Sequence, residues 1–178
     1  MRAFIAINLP DRIKDKILEM TKEFQEKGIR KVGKQNLHLT LKFLGDVNEK
    51  KVEEIMQILK TVDCVKFEVS LKNMGFFPNE SFIKVVWLGI ENGRNELIEL
   101  QKQIDQKLEK YGFKPEKNYE PHFTIARVKS IKDKKEFLDK MKEIKFEDNF
   151  SVSNFELMES KLSPSGPVYR ELLTKGLV

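Results

Sequence analysis

Apolar and polar residues change rhythm several times along this chain. Ala3 to Asn8 is an apolar run of strand length, and Ile83 to Ile90 is a second one. After each run the spacing shifts to three and four residues. Ile13, Ile17, Met20 and Phe24 keep that period in one place, and Leu97, Leu100, Ile104 and Leu108 keep it in another. Both stretches predict amphipathic helices. A period of two follows. In the nine residues from Leu37 to Gly45, LHLTLKFLG, Leu39, Leu41 and Phe43 point one way while His38, Thr40 and Lys42 point the other. In HFTIARV, Phe123 and Ile125 face one side, with His122, Thr124 and Ala126 opposite. Helical spacing returns at Val52, Ile55, Met56 and Leu59, and again at Phe137, Leu138 and Met141. Strands over Lys66 to Leu71 and over Phe150 to Phe155 close each series. Asn48 and Asp11 stand where helix N-caps belong, and Gly28 and Gly112 where helices stop.

The two series are one pattern used twice. The segments around His38 and His122 align at an offset of 84 residues (122 − 38), with Phe4 and Phe82 opening the two copies. Phe67-Glu68-Val69-Ser70 recurs as Phe150-Ser151-Val152-Ser153. A period this long does not describe a solenoid. It predicts one domain over residues 1–178 made of two lobes, with approximate repeats 1–75 and 80–160 that interleave about a pseudo-two-fold axis. The fold class expected is α+β: two mainly antiparallel sheets forming a central cleft, with helices outside.

Composition narrows the functional classes. A chain of 178 residues with 40% hydrophobic and 34% charged residues is an ordinary globular protein. No apolar run approaches the roughly 18 residues of a membrane helix, and the first residues, MRAFIAINLPDR, lack a cleavage-site pattern, so a cytoplasmic protein without membrane contact is expected. Cys64 is the only cysteine, which excludes an internal disulfide and a cysteine-built zinc site. The net charge of +5 favours a polyanionic partner, with most lysines on solvated helix faces.

Chemistry concentrates on the only two histidines, His38 and His122. Each has a threonine two residues on, Thr40 and Thr124, about 6.5–7 Å along the same side of a strand. If the two lobes turn those sides together, two imidazoles and two hydroxyls converge. Opening a cyclic phosphodiester needs a base for the attacking water and an acid for the departing oxygen, and two imidazoles supply both. The hydroxyls hydrogen-bond the non-bridging oxygens. Neither a metal nor another cofactor is called for, since two histidines without a third donor hold zinc poorly.

These motifs resemble the two-histidine (2H) phosphoesterase superfamily, defined by paired H-x-[TS]-x sequences in a bilobal fold, and within it the RNA 2′,3′-cyclic phosphodiesterases, also called 2′-5′ RNA ligases. The resemblance runs from Arg2-Ala3-Phe4-Ile5-Ala6-Ile7 through His38-Leu39-Thr40-Leu41 and His122-Phe123-Thr124-Ile125-Ala126-Arg127 to Ser163-Pro164-Ser165-Gly166-Pro167-Val168-Tyr169. It implies metal-independent hydrolysis of a terminal cyclic phosphate to a 2′-phosphomonoester. It also implies that some members join RNA ends through a 2′-5′ linkage without ATP. His38 is then the proton donor and His122 the acceptor. Arg127 neutralises phosphate, for which its strand must bulge or end there, the competing reading being an outer-face salt bridge. Phe4 and Tyr169 either stack on a base or belong to the core, and Arg2, Lys42, Lys84 and Arg170 are expected to contact phosphate. Trp87 is expected in the core. The expected partner is RNA with a cyclic phosphate end, tRNA halves among the candidates, acted on by a monomer. A phosphodiesterase for small cyclic nucleotides such as ADP-ribose cyclic phosphate, or a non-catalytic RNA-binding module, are the competing readings.

Overall fold

A computed structural model describes residues 1–178. The chain runs β1 (Arg2–Asn8), α1 (Asp11–Met20), β2 (Ile29–Lys31), β3 (His38–Asp46), α2 (Glu49–Lys60), β4 (Phe67–Asn79), β5 (Phe82–Ile90), α3 (Arg94–Glu109), β6 (Phe123–Val128), α4 (Lys134–Glu143), β7 (Glu147–Val152), β8 (Asn154–Ser163) and β9 (Gly166–Gly176). Two sheets result, ordered β3-β1-β8-β9 and β2-β6-β5-β4-β7. Every ladder in them is antiparallel. The expected α+β architecture is therefore present.

The helices are amphipathic as their spacing requires. Ile13 and Ile17, Val52, Ile55 and Leu59, and Leu97, Leu100, Ile104 and Leu108 enter one contiguous core shared by both sheets. Asn48 caps α2, its side chain accepting from the Lys51 amide at 2.9 Å. Asp11 does not cap α1. Pro10 takes that position, and Asp11 is the first helical residue. Gly112, at φ +91°, follows the end of α3. Gly28 ends no helix; it lies five residues past the turn that follows α1, where Ser130 packs so close that a Cβ would sit 2.0 Å from its carbonyl oxygen.

The strand expected over Phe150 to Phe155 is two strands. The chain leaves β7 at Val152 and enters β8 at Asn154, which belongs to the other sheet. The exchange is reciprocal. β4 follows the first histidine strand yet pairs with β5, while β8 follows the second and pairs with β1.

Candidate functional site

Strict alternation fails in both histidine strands, at equivalent places. Along β1 and β3, Asn8 faces His38 and Ala6 faces Thr40, but the next partners are Ile5 and Lys42. Leu41 is an extra residue, a β-bulge. Along β5 and β6, Trp87 faces Thr124 and Val86 faces Ala126, so Ile125 is the extra residue there. The bulges are 84 residues apart (125 − 41), the same spacing as the histidines. Beyond each bulge the faces exchange. Leu41 and Lys42 are both buried, as are Ile125 and Ala126. Phe43 and Arg127 are exposed on the side of the histidines instead.

This corrects the expected places of Lys42, Phe43 and Ala126. Lys42 is 2% exposed and forms an ion pair with Asp105 on α3; its Nζ also donates to the Lys114 carbonyl at 2.9 Å. It holds helix to sheet and cannot reach a substrate. Phe43 has moved from core to cleft rim, and Ala126 from cleft to core. Arg127 has the bulge that it requires. Its partner across the ladder, Val85, lies two residues from Trp87, so Arg127 shares the face of Thr124.

The two histidine segments meet. Tyr119, three residues before His122, donates its hydroxyl to the Thr40 carbonyl at 3.0 Å. The Arg127 charge reaches His38 and Tyr169 in the opposite sheet. Each imidazole is held by the carbonyl two residues before it. His122 Nδ1 lies 2.7 Å from the Glu120 oxygen, and the backbone of Asn36 serves His38 likewise. In His122 this bond fixes Nδ1–H and leaves Nε2 free to exchange a proton.

Aromatic rings wall both imidazoles. Phe4 and Tyr169 pack on His38, with centroids 4.9 and 5.2 Å away. Phe77 meets His122 edge-on at 4.9 Å. Trp87 stands 5.0 Å from Phe77 and 6.4 Å from His122, so it lines the cleft and is not the core residue that its apolar strand suggests. Gly75 makes room for it, since a Cβ there would lie 2.1 Å from the indole. Phe4 is only 4% exposed among His38, Tyr169 and Phe43. It supports the imidazole and has no free face for a base.

Burial among these rings pushes the His38 pKa down from 6.5 to about 4, against the Asn36 hydrogen bond and with help from the charges of Lys14 and Arg127. Lys14 escaped the sequence reading because a lysine on a helix ordinarily faces water. Here it is 8% exposed and its Nζ donates to Asn8 Oδ1 at 3.1 Å, while Asn8 Nδ2 donates to Glu156 at 2.7 Å. Of the other expected contacts, Arg2 lies on the cleft-side row of β1. Arg170 is engaged by Glu159 at 2.7 Å, and Lys84 lies over the Phe82 ring. No group of three potential metal-ligating side chains gathers in the molecule, and no helix is long and apolar enough to cross a membrane.

The family model described as the 2′-5′ RNA ligase superfamily matches residues 9–163. This chain belongs to the 2′-5′ RNA ligase superfamily. Among its relatives, the RNA 2′,3′-cyclic phosphodiesterase of Methanocaldococcus jannaschii is 43% identical over 171 residues, which cover 95% of this chain and 96% of that one. The Methanothermobacter thermautotrophicus enzyme of the same name is 34% identical, with 97% and 96% covered. Among solved structures, Escherichia coli LigT complexed with 3′-AMP superimposes with a TM-score of 0.83 at 26% identity, covering 99% of this chain and 98% of that one. The superfamily fold thus extends over the whole chain.

Proposed function

We propose that this protein is an RNA 2′,3′-cyclic phosphodiesterase, in which His38 and His122 form the acid–base pair and Thr40, Thr124 and Arg127 bind the phosphate. The reading is carried by one observation: two H-x-T-x strands, each with its imidazole anchored through the preceding backbone, are drawn together by the Tyr119–Thr40 hydrogen bond. The curated relatives of this name, similar over nearly the full chain, support it.

Water attacks phosphorus as the acceptor, His122, takes its proton at Nε2. The bond from phosphorus to the 3′ oxygen breaks on the opposite side, and the donor, His38, protonates that oxygen. The product carries a 2′-phosphate and a free 3′ hydroxyl. In the resting enzyme His38 is neutral at pH 7, since its pKa is about 4. The negative charge of a bound phosphodiester raises that pKa and loads the imidazole with the proton that it delivers. Thr40 and Thr124 donate to the non-bridging oxygens, and the Arg127 guanidinium offsets the charge that builds on them. With a 5′ hydroxyl in place of water as the nucleophile, the same groups break the same bond to the 3′ oxygen and join the cyclic phosphate end through a 2′-5′ linkage without ATP. The substrate class extends to tRNA halves, and we place the enzyme in the cytoplasm as a monomer of one two-lobed domain.

Hydrolysis of a nucleoside 2′,3′-cyclic phosphate in EDTA tests the reading. Wild type is active and releases the 2′-phosphate. His38→Ala and His122→Ala each lose about 10²–10⁴-fold in kcat. Inactive wild type, or undiminished activity in both variants, overturns it.

A further inference from the structure

Six arginines stand in the sequence. Three of them have ion-pair partners: Arg12 with Asp148, Arg94 with Glu120 and Arg170 with Glu159. The pleat turns the other three, Arg2, Arg30 and Arg127, to the side of the histidines. Of these, Arg30 has no part in the acid–base chemistry and faces another cation. It sits on β2, the edge strand of its sheet, directly opposite Arg127 on β6. Their outward neighbours on the ladder, Ile29 and Val128, are buried, so both arginines occupy the cleft side of the strand pair.

Like charges directly opposed across a ladder are destabilising. A protein surface that keeps two of them without a carboxylate is arranged for an external anion. The Arg30 guanidinium is also only loosely held. Its Nη2 lies 3.4 Å from the Ser165 carbonyl at the β8–β9 tip, beyond the usual 2.7–3.2 Å range of a good N–H···O bond. Gly166 at that tip has φ +119°, and a Cβ there would stand 2.8 Å from the same nitrogen. The guanidinium therefore rests in a slot left open beside the hairpin that carries Tyr169, with its donors free to turn to a phosphate.

The order of the groups gives the direction. Arg127 acts on His38 and Tyr169, beside the reacting phosphorus. Arg30 lies one strand further out. Facing cross-strand side chains start about 4.5–5.5 Å apart, and two extended guanidiniums can spread from there to successive phosphates of one strand. We propose that Arg30 binds the phosphodiester immediately 5′ of the cyclic end, so that the site takes an oligonucleotide terminus as a unit. The inference rests on the phosphodiesterase reading above and deepens it.

The test compares a nucleoside 2′,3′-cyclic phosphate with a dinucleotide that ends in the same cyclic phosphate, using wild type, Arg30→Ala and Arg30→Lys. Arg30→Ala loses about tenfold in kcat/KM on the dinucleotide and stays within about twofold on the mononucleotide. Arg30→Lys, which keeps the charge without the fork, falls between. Replacing the internal phosphate by an uncharged methylphosphonate costs wild type the same factor and costs Arg30→Ala nothing further. The slope of log kcat/KM against log salt for the dinucleotide shrinks by about 0.7 in Arg30→Ala. Equal losses on both substrates, no loss on the dinucleotide, or a methylphosphonate effect that persists in Arg30→Ala overturns the assignment while the phosphodiesterase reading stands. Wild type inactive on both substrates overturns the two together.

Discussion

The environment of His38 has a consequence for folding as well as for chemistry. Unfolded, the imidazole titrates near 6.5; folded, its pKa is about 4. Above pH 6.5 it is neutral in both states and there is no penalty. Between pH 6.5 and 4 the unfolded chain binds a proton that the folded chain refuses, so stability falls as the pH falls. The loss reaches up to about 3 kcal/mol and is complete below pH 4. His38→Phe leaves a ring that suits the surroundings of Phe4 and Tyr169 and removes this component. Urea midpoints at pH 7 and pH 4 should therefore fall further apart in wild type than in the variant; equal differences would show that the site admits the charged imidazole. The histidines and threonines were legible from sequence because two residues along a strand are adjacent whatever the rest of the fold does. Lys14 and Trp87 were not. Their places depend on Asn8 and on the empty space over Gly75, neither of which has a local signature.

At the scale of the strand, two single-residue insertions decide which side chains face the cleft. Alternation read from the sequence is correct as far as Thr40 and Thr124 and wrong beyond them, because a bulge leaves no mark in composition. The clue was a chemical one: Arg127 has the wrong parity for a phosphate contact unless the strand slips. Two measurements examine this arrangement. Lys42→Met leaves Asp105 as an uncompensated buried charge and should cost about 3–5 kcal/mol in denaturant unfolding, with kcat/KM of the folded fraction unchanged. A large fall in kcat/KM would return Lys42 to the cleft. Gly75→Ala drives a methyl group into the indole of Trp87, which displaces the ring beside His122. It should destabilise the protein by about 1–3 kcal/mol and lower kcat as well, and Trp87 fluorescence should shift.

The whole molecule was legible as a duplication in order and spacing, but the partner of each closing strand was not. Sequence similarity places β4 and the β7–β8 segment at the ends of their own repeats, whereas the ladders give β4 to β5 and β8 to β1. Pairing across repeats is a long-range choice that the local pattern does not encode. Each half lacks a strand that only the other supplies. Expressed separately, residues 1–80 and 81–178 should each give the far-UV circular dichroism of an unfolded chain. The intact protein should unfold in one transition, with Trp87 fluorescence and circular dichroism coincident.

The chain crosses between the sheets four times, from β1 to β2, β2 to β3, β3 to β4 and β7 to β8. Enzymes that shut on their substrates move bodies joined by a few hinge residues. Four crossings and a common core leave no such axis here. The gap between the histidines is therefore expected to keep its width, and an RNA end to enter and leave it without a closing step.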